Sequence, residues 1–402
     1  MTSQGQTFKN HFPIFSNNPS LIYLDSAATA QKLGAVIDRE KQFYEHENAN
    51  VHRGLYDLSS RATQNFESVR SAIAKFIEAK SSNEIAFTKG TTESINIIAN
   101  SFSSLLQPGD RVIVTVMEHH ANFIPWQKLC EHTKAELVVI PIDVSGDLDV
   151  NLLVKNLNSE TRMVAVTHVS NVLGTINPID RIIAEAHRLN IPVLVDAAQS
   201  IGHMPVNVSA YEADFLAFSA HKMFGPMGVG VLYANEKFHD LIRPLNYGGG
   251  IVKEVTQEET SLLPFPRVVE GGTPNVAGVI ATIEAIKFLS ELDLLSTFKH
   301  GQSLAMKFRE AIRKLGFVKV IGNPNSSSNI VAFIVDDIHP HDVSAFLADR
   351  NICVRAGHHC AQPLHKALNV PATVRASFSI YNDERDVDAV IDCLKQLKIF
   401  WS

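Results

Sequence analysis

Cysteine is scarce in this chain: there are four, at Cys130, Cys353, Cys360 and Cys393, with no framework spacing between them. That excludes a disulfide-stapled secreted scaffold and points to reduced thiols in a cytosol-like compartment. Long apolar runs are missing too, and none approaches the ~20 residues a membrane helix needs. The opening residues, MTSQGQTFKNHFPIF, contain neither the apolar core of a secretory signal nor the arginine-rich character of a transit peptide. Positive charge is in deficit. A formal net charge of -6 argues against nucleic acid as the principal ligand, because phosphate backbones select a basic surface. Internal repeats and low-complexity tracts are absent. The expectation is a soluble, cytoplasmic protein with no membrane segment. What remains is ordinary for a globular chain, with 45% hydrophobic and 19% charged residues over 402 positions. That length allows about two or three domains and a sizeable core.

The richest stretch is ADFLAFSAHKMFGPMGVG, centred on Lys222. Phe215-Leu216-Ala217-Phe218 reads as a buried strand, Gly225-Pro226 forces a turn, and a second apolar strand follows. A lysine at the mouth of a buried strand is placed to be a desolvated amine, the form that acts as a nucleophile and forms Schiff bases. The alternative is a strand-end lysine that snorkels to solvent.

Around it, strands are predicted over 84–88, Arg111–Thr115, Glu136–Ile140, 163–167, Val193–Asp196, 215–218 and 229–233, with helices over 92–106, 150–157 and 179–189 among the connections. Earlier helices are expected over 35–47 and 59–79. Such alternation predicts an α/β unit with a mainly parallel sheet, whose ligands sit beyond the carboxyl ends of the strands. Those ends are chemically rich. Lys89-Gly90-Thr91-Thr92-Glu93 opens a helix and offers a phosphate cup, or simply a helix cap. His119-His120 follows the second strand. Adjacent histidines without HExxH or CxxC make a poor zinc site, and a flat imidazole stacked on an aromatic ligand suits the position better. Asp196 ends a wholly apolar strand and needs a cationic or N–H partner. His52 and Arg53 lie in a polar loop and are either ligand contacts or solvated residues.

A Schiff-base lysine, a strand-end aspartate, a phosphate cup and a stackable imidazole are what pyridoxal phosphate requires. Here the sequence resembles the class V aminotransferase family of fold type I pyridoxal-phosphate enzymes, and within it the SUF- and CSD-type (group II) cysteine desulfurases. The matching motifs are LDSAATA, NVHRG, GTTESIN, EHHANFIPW, HVSNVLGT, VDAAQS, FSAHKMFGP, GGTPNVAG, RAGHHCAQP and RASFSIYN, in family order from residue 24 to 382. Lys89 stands where arginine is expected, and Gly271 where alanine is.

The resemblance implies a large α/β cofactor-binding domain over 21–275, a smaller C-terminal α+β domain over 276–402, and an N-terminal segment, 1–20, that joins them. It implies pyridoxal 5'-phosphate as cofactor, with Lys222 carrying the Schiff base, Asp196 pairing with the ring nitrogen, Gln199 bonding the phenolic oxygen and His119 stacking on the ring. Thr91, Thr92, Ser219 and His221 are implied to bind the phosphate, with Thr273 reaching it from the neighbouring subunit of a homodimer. Asn171, Arg355, Arg375 and His52 are the implied substrate contacts, Arg375 by bidentate grip on the carboxylate.

The second reactive residue is Cys360, in Arg355-Ala356-Gly357-His358-His359-Cys360. Positive neighbours favour a thiolate, while Cys130, Cys353 and Cys393 read as inert. A zinc site at His358, His359 and Cys360 is the rival reading and lacks evenly spaced ligands. The expected activity is conversion of L-cysteine to L-alanine with a persulfide on Cys360. The sulfur then passes to a SufE-like or SufU-like acceptor for iron–sulfur cluster assembly, and L-selenocysteine is a further expected substrate. The alternatives are another class V activity, aminotransferase or β-lyase, and a catalytically silent scaffold.

Overall fold

The computed structural model describes residues 8–143, 145–323 and 328–401. Its principal sheet has seven strands: Ile85–Thr88 (β1), Arg111–Thr115 (β2), Glu136–Ile140 (β3), Thr161–Thr167 (β4), Val193–Asp196 (β5), Phe215–Ser219 (β6) and Gly230–Ala234 (β7). Their spatial order is β1-β7-β6-β5-β4-β2-β3. β7 runs antiparallel to both neighbours, β6 and β1, and every other strand shares one direction. The central strands are apolar on both faces because helices cover both sides; Leu194, Val195 and Phe215 to Phe218 are fully buried. Thr91–Phe102 (α1) and His120–Thr133 (α2) pack on one face. Their N-termini follow the carboxyl ends of β1 and β2.

A second sheet is built from Val318–Ile321 (β8), Ile330–Val335 (β9), Arg355–Gly357 (β10) and Thr373–Ser377 (β11), ordered β8-β9-β11-β10 and antiparallel throughout. Its own core includes Phe308, Phe333, Val374, Phe378 and Leu394. The N-terminal segment ties the two sheets together. Phe12 and Phe15 are buried in the first core, Ile22–Tyr23 pairs in parallel with Ile352–Cys353, and Leu24 joins the second core.

Several elements differ from expectation. The helix expected over 35–47 is Gly34–Gln42 followed by one wider π turn, Phe43–Glu47. The helix expected over 59–79 is Asp57–Phe76, and the left-handed φ of 56° at Glu78 keeps it from running further. The helix Val276–Glu291 (α3), placed by sequence at the start of the C-terminal unit, instead buries Val276, Ala277, Val279, Ile280, Ala281 and Ile286 in the core of the large sheet. Its apolar surface packs on Gly34–Gln42 and Asp57–Phe76. Arg355 lies in strand β10. The run Ser326-Ser327-Ser328-Asn329 reads in sequence as a turn; Ser326 and Ser327 lie outside the described residues, and Asn329 is buried beside β9. Among the described residues no helix is long and apolar enough to cross a membrane.

Candidate active site

The carboxyl ends of β1, β2, β4, β5 and β6 converge with the loop after β10 on a cavity of about 220 Å³. Lys222, Asp196, Gln199, His119, Thr91, Thr92, Ser219, His221, Asn171, Arg355, Arg375 and Cys360 all line it. Residues that are far apart in sequence therefore meet in one space.

Lys222 follows β6 on a single 3₁₀ turn, Ala220–Lys222. Its partial exposure is to this cavity. Burial lowers the amine pKa to about 8; Asp196 opposes that shift, and Arg375 and Arg355 add to it. The backbone here is held closely. Gly202 lies against the Lys222 carbonyl, where any Cβ would clash with main chain, and Gly230 lies the same way against the backbone of Gly90. The second approach brings β7 hard against the loop that opens α1.

That loop is the candidate phosphate cup. Gly90 is the N-cap of α1 and gives no side-chain cap, so the helix cap weighed from sequence is not made by Thr91. Thr91 instead points inward. Its N–H donates to Ser219 Oγ at 2.8 Å, and the two hydroxyls lie 2.7 Å apart. Hydroxyls clustered at a helix N-terminus suit a dianion. His221 completes this end, its Nδ1 3.1 Å from Thr29 Oγ1. Burial first, then Lys222, lowers its pKa to about 4, so the ring is neutral.

At the other end, Asp196 is buried and accepts from the Ala198 N–H through Oδ1 at 2.9 Å. No side chain among the described residues bonds its other oxygen. Burial pushes the carboxyl pKa up, while the Ala198 N–H and Lys222 pull it down. A protonated ring nitrogen would supply the missing partner. Gln199 donates one amide N–H to the Ala27 carbonyl at 2.8 Å, which fixes the plane of its amide and leaves its second N–H. His119 caps α2, its Nδ1 accepting from the Ala121 N–H at 3.1 Å. Burial first, and then Lys222, lowers its pKa to about 3, giving a neutral imidazole with its proton on Nε2. An acid, an amine, a flat neutral ring and an anion cup in one cavity fit pyridoxal phosphate in every part.

Arg375 comes from β11, which the sequence reading did not predict. Its Nη1 donates to the Asn171 carbonyl at 2.8 Å and its Nη2 to Asp25 Oδ1 at 2.9 Å. Nε–H is buried without a partner among the described residues, a donor that a substrate carboxylate would satisfy. Asn171 in turn donates to the His359 carbonyl at 2.7 Å, linking this pair to the Cys360 loop. His359 and Cys360 both hold left-handed backbone, with φ of 51° and 56°, after Gly357 at 122°. Successive non-glycine residues in that region are costly and mark a functional turn. The Cys360 carbonyl accepts from the His120 N–H at 2.7 Å, tying the loop to the start of α2.

Two expectations change at this site. The His359 ring turns away to bond Thr373 Oγ1 at 2.9 Å, and burial first, then Arg375, holds its pKa down at about 2. It adds no positive charge beside Cys360, and the arginines that share the cavity with the thiol are Arg355 and Arg375. His52, expected to contact substrate, is absent from the cavity of its own chain, and so is Thr273, as a residue expected to serve the neighbouring subunit would be. They line a second one of about 200 Å³, with Arg53 and Glu270, that shares no lining residue with the first. His52 Nε2 lies 2.8 Å from Glu67 Oε1, Glu67 Oε2 accepts from Arg70 Nε at 2.7 Å, and Arg70 grips Glu270 through both Nη atoms at 2.6 and 3.0 Å. One charged chain thus fixes both loops.

Three supporting residues went unread in the sequence. Asp25 holds Arg375. Lys32 donates to Thr29 Oγ1, Ala30 O and His221 O at 3.1, 2.6 and 3.0 Å, strapping the N-terminal loop to the residue before Lys222. Glu118 lies buried beneath His119. All three sit inside motifs used for the resemblance or close beside them, but only their contacts reveal what they do.

The family model described as aminotransferase class-V matches residues 22–390. A cysteine desulfurase of Cronobacter sakazakii is 44% identical over 391 residues, 96% of each chain. The crystal structure of the cysteine desulfurase CsdA from Escherichia coli superposes with a TM-score of 0.92 at 37% identity, covering 99% of both chains. A cysteine desulfurase of Thermococcus onnurineus superposes with a TM-score of 0.94 at 36% identity, covering 99% of this chain and 98% of that one.

Proposed function

Because the chain belongs to the aminotransferase class-V family, we propose that it is a pyridoxal-phosphate-dependent cysteine desulfurase. It converts L-cysteine to L-alanine and leaves the sulfur as a persulfide on Cys360. The observation that carries this reading is Cys360 in the same cavity as Lys222 and Asp196. An aminotransferase or β-lyase needs the lysine and the aspartate, but has no use for a thiol facing them.

When bound, pyridoxal phosphate supplies the electron sink for chemistry at the substrate α-carbon. Lys222 moves the α-proton at Nζ, its lowered pKa keeping much of the amine neutral near pH 8. Arg375 and Asn171 hold the substrate carboxylate. Asp196, Gln199 and His119 fix the ring, while Thr91, Thr92, Ser219 and His221 hold the phosphate. The Cys360 thiolate attacks the substrate sulfur. A sulfur–sulfur bond forms as the carbon–sulfur bond breaks, and the bonding pair stays with the three-carbon unit, which is protonated and leaves as alanine. Arg355 keeps positive charge in the cavity that holds the thiolate.

The loop to Cys360 is short, with four residues between it and Arg355. That favours a SufE-like or SufU-like protein that reaches in for the sulfur and delivers it to iron–sulfur cluster assembly. Selenium is the better electrophile, so L-selenocysteine is a second substrate. Four unpaired cysteines suit a reducing cytoplasm. With one equivalent of L-cysteine, the protein is expected to yield alanine and a one-sulfur adduct on Cys360, read by mass spectrometry. An acceptor of the SufE or SufU kind should raise multiple turnover without changing that first yield. Alanine without any adduct sinks the desulfurase reading.

The second cavity supports a homodimer. His52, Arg53 and Thr273 form a rigid polar patch that lies apart from Lys222 in its own chain, so a second copy would bring it to the phosphate. Light scattering is expected to give twice the 44.3 kDa chain mass. Thr273→Ala should loosen cofactor binding by about fivefold, the worth of one lost hydrogen bond. A monomer that retains cofactor fully would refute the arrangement.

A further inference from the structure

We infer that Glu118 is a positioning residue that sets the width of the slot between the His119 ring and the strand end carrying Asp196. The inference rests on the reading above, in which His119 stacks on the cofactor.

Glu118 is fully buried, and its carboxyl joins three elements. Oε1 accepts from Thr115 Oγ1 at the end of β2 at 2.6 Å. The same oxygen accepts from the Thr167 N–H at the end of β4 at 3.0 Å. Oε2 accepts from Asn122 Nδ2, in the first turn of α2, at 2.6 Å. Thr167 is the β-partner of Asp196. One carboxyl thus fastens the helix turn beginning at His119 to the strand beside Asp196, the two walls between which a flat ring would lie.

The direction of two of these bonds, from Asn122 and from Thr167, is forced. Trp126 Nε1 can only donate, and it donates to Asn122 Oδ1 at 3.0 Å. The Asn122 amide is therefore turned with its NH₂ toward Glu118. On the other side the Thr167 main-chain N–H can only donate. Both oxygens of residue 118 must accept, which a carboxyl satisfies and a carboxamide does not. Burial pushes the Glu118 pKa up to about 8, while the bonds from Thr115, Thr167 and Asn122 pull it down. Either protonation state fits, because a proton on Oε1 turns toward the Thr115 hydroxyl. Glutamine at this position places its NH₂ against another N–H in both of its orientations, and the buried clash displaces α2 relative to β4.

Visible circular dichroism of the holoenzyme reads the asymmetry His119 imposes on the cofactor, and dialysis reads how fast cofactor is lost. His119→Ala sets the scale for both. Glu118→Gln is expected to alter the visible band in the same sense as His119→Ala and to speed cofactor loss about tenfold, the effect of one unsatisfied buried polar contact. Trp126→Phe frees the Asn122 amide to flip and present its oxygen to the new carboxamide NH₂. The double variant E118Q/W126F should therefore lie nearer the wild type than E118Q alone, which a general loss of packing would not produce. If Glu118→Gln matches the wild type within about twofold in both readings while His119→Ala does not, the inference is overturned and the site reading stands. If His119→Ala itself changes neither reading, stacking fails and takes the inference with it. Should Glu118→Gln not fold, the double variant decides: recovery of fold and band supports the inference, and no recovery overturns it.

Discussion

Replacing Cys360 with alanine is expected to cut alanine formation from L-cysteine to below about 1% of wild type, the scale of loss when a nucleophile is removed. The visible band of the bound cofactor should stay in place, because Cys360 does not hold the cofactor. The other thiols cannot substitute. Cys130 and Cys393 are buried in the cores, and burial raises the pKa of both. Cys353 lies in the short strand that pairs with Ile22–Tyr23, and burial first, then Asp25, raises its pKa as well. A single-turnover assay that follows alanine, with mass spectrometry of the Cys360 peptide, makes the comparison. If the variant keeps its colour and still makes alanine at more than about a tenth of the wild-type yield, Cys360 is not the acceptor. The β-lyase or aminotransferase reading then leads. With L-selenocysteine the variant is expected to continue producing alanine, since selenium elimination can proceed without the thiolate. Loss of both activities together would point to damage in the cavity and not to a missing nucleophile.

Lys222→Ala carries the second large effect. Removing the amine should lower alanine formation by about 10³-fold or more, since one group supplies both the covalent attachment and the proton transfer. The fold should survive, because an alanine side chain fits the space and the Gly202 contact is made by the main-chain carbonyl. The long-wavelength absorbance of the attached cofactor should vanish, while Thr91, Ser219 and Asp196 are expected to keep the cofactor bound without a covalent bond. The wild-type amine also has a pH signature. Its pKa is lowered to about 8 by burial, and only the neutral form attacks an aldehyde. The rate of cofactor capture should therefore rise with pH up to about 8 and level off above it. An amine with an ordinary lysine pKa would instead keep rising toward about 10.4. A flat profile from about pH 6 to 9 would refute the assignment of Lys222 as the attacking group.

Much of the site was legible because each motif lies at the end of one strand. Asp196 after Val193-Leu194-Val195 and Lys222 after Phe215 to Ser219 could be placed from local patterning, since an apolar run that ends in a charged residue marks the mouth of a buried strand. In the second sheet, Val318–Ile321 and Ile330–Val335 read from sequence as strands at their observed bounds, and β11 was harder to read. β11 contains Thr373-Val374-Arg375-Ala376-Ser377, which alternates polar and apolar residues as a strand solvated on one face would, yet all five residues are buried. Where Val276–Glu291 packs was no easier to read. The helix α3 is apolar nearly all round, and nothing in its own sequence says which core it enters.

The amino-acid sequence by itself determined the alternation of strands and helices, the cup at Gly90-Thr91, the buried aspartate and lysine, and a cysteine loop with a glycine at its bend. Each depends on residues within a few positions of one another, where backbone geometry and burial are set locally. Only the tertiary structure decided what those pieces do together. It brought Cys360 and Arg375 of the second sheet over Lys222 of the first, turned His359 onto Thr373 as a neutral ring, and set His52 and Thr273 in a separate cavity. It also showed that Glu118 is locked by donors from three elements. Such appositions follow from how sheets and helices stack and which way each bond must point, and a linear chain carries that information only once it is folded.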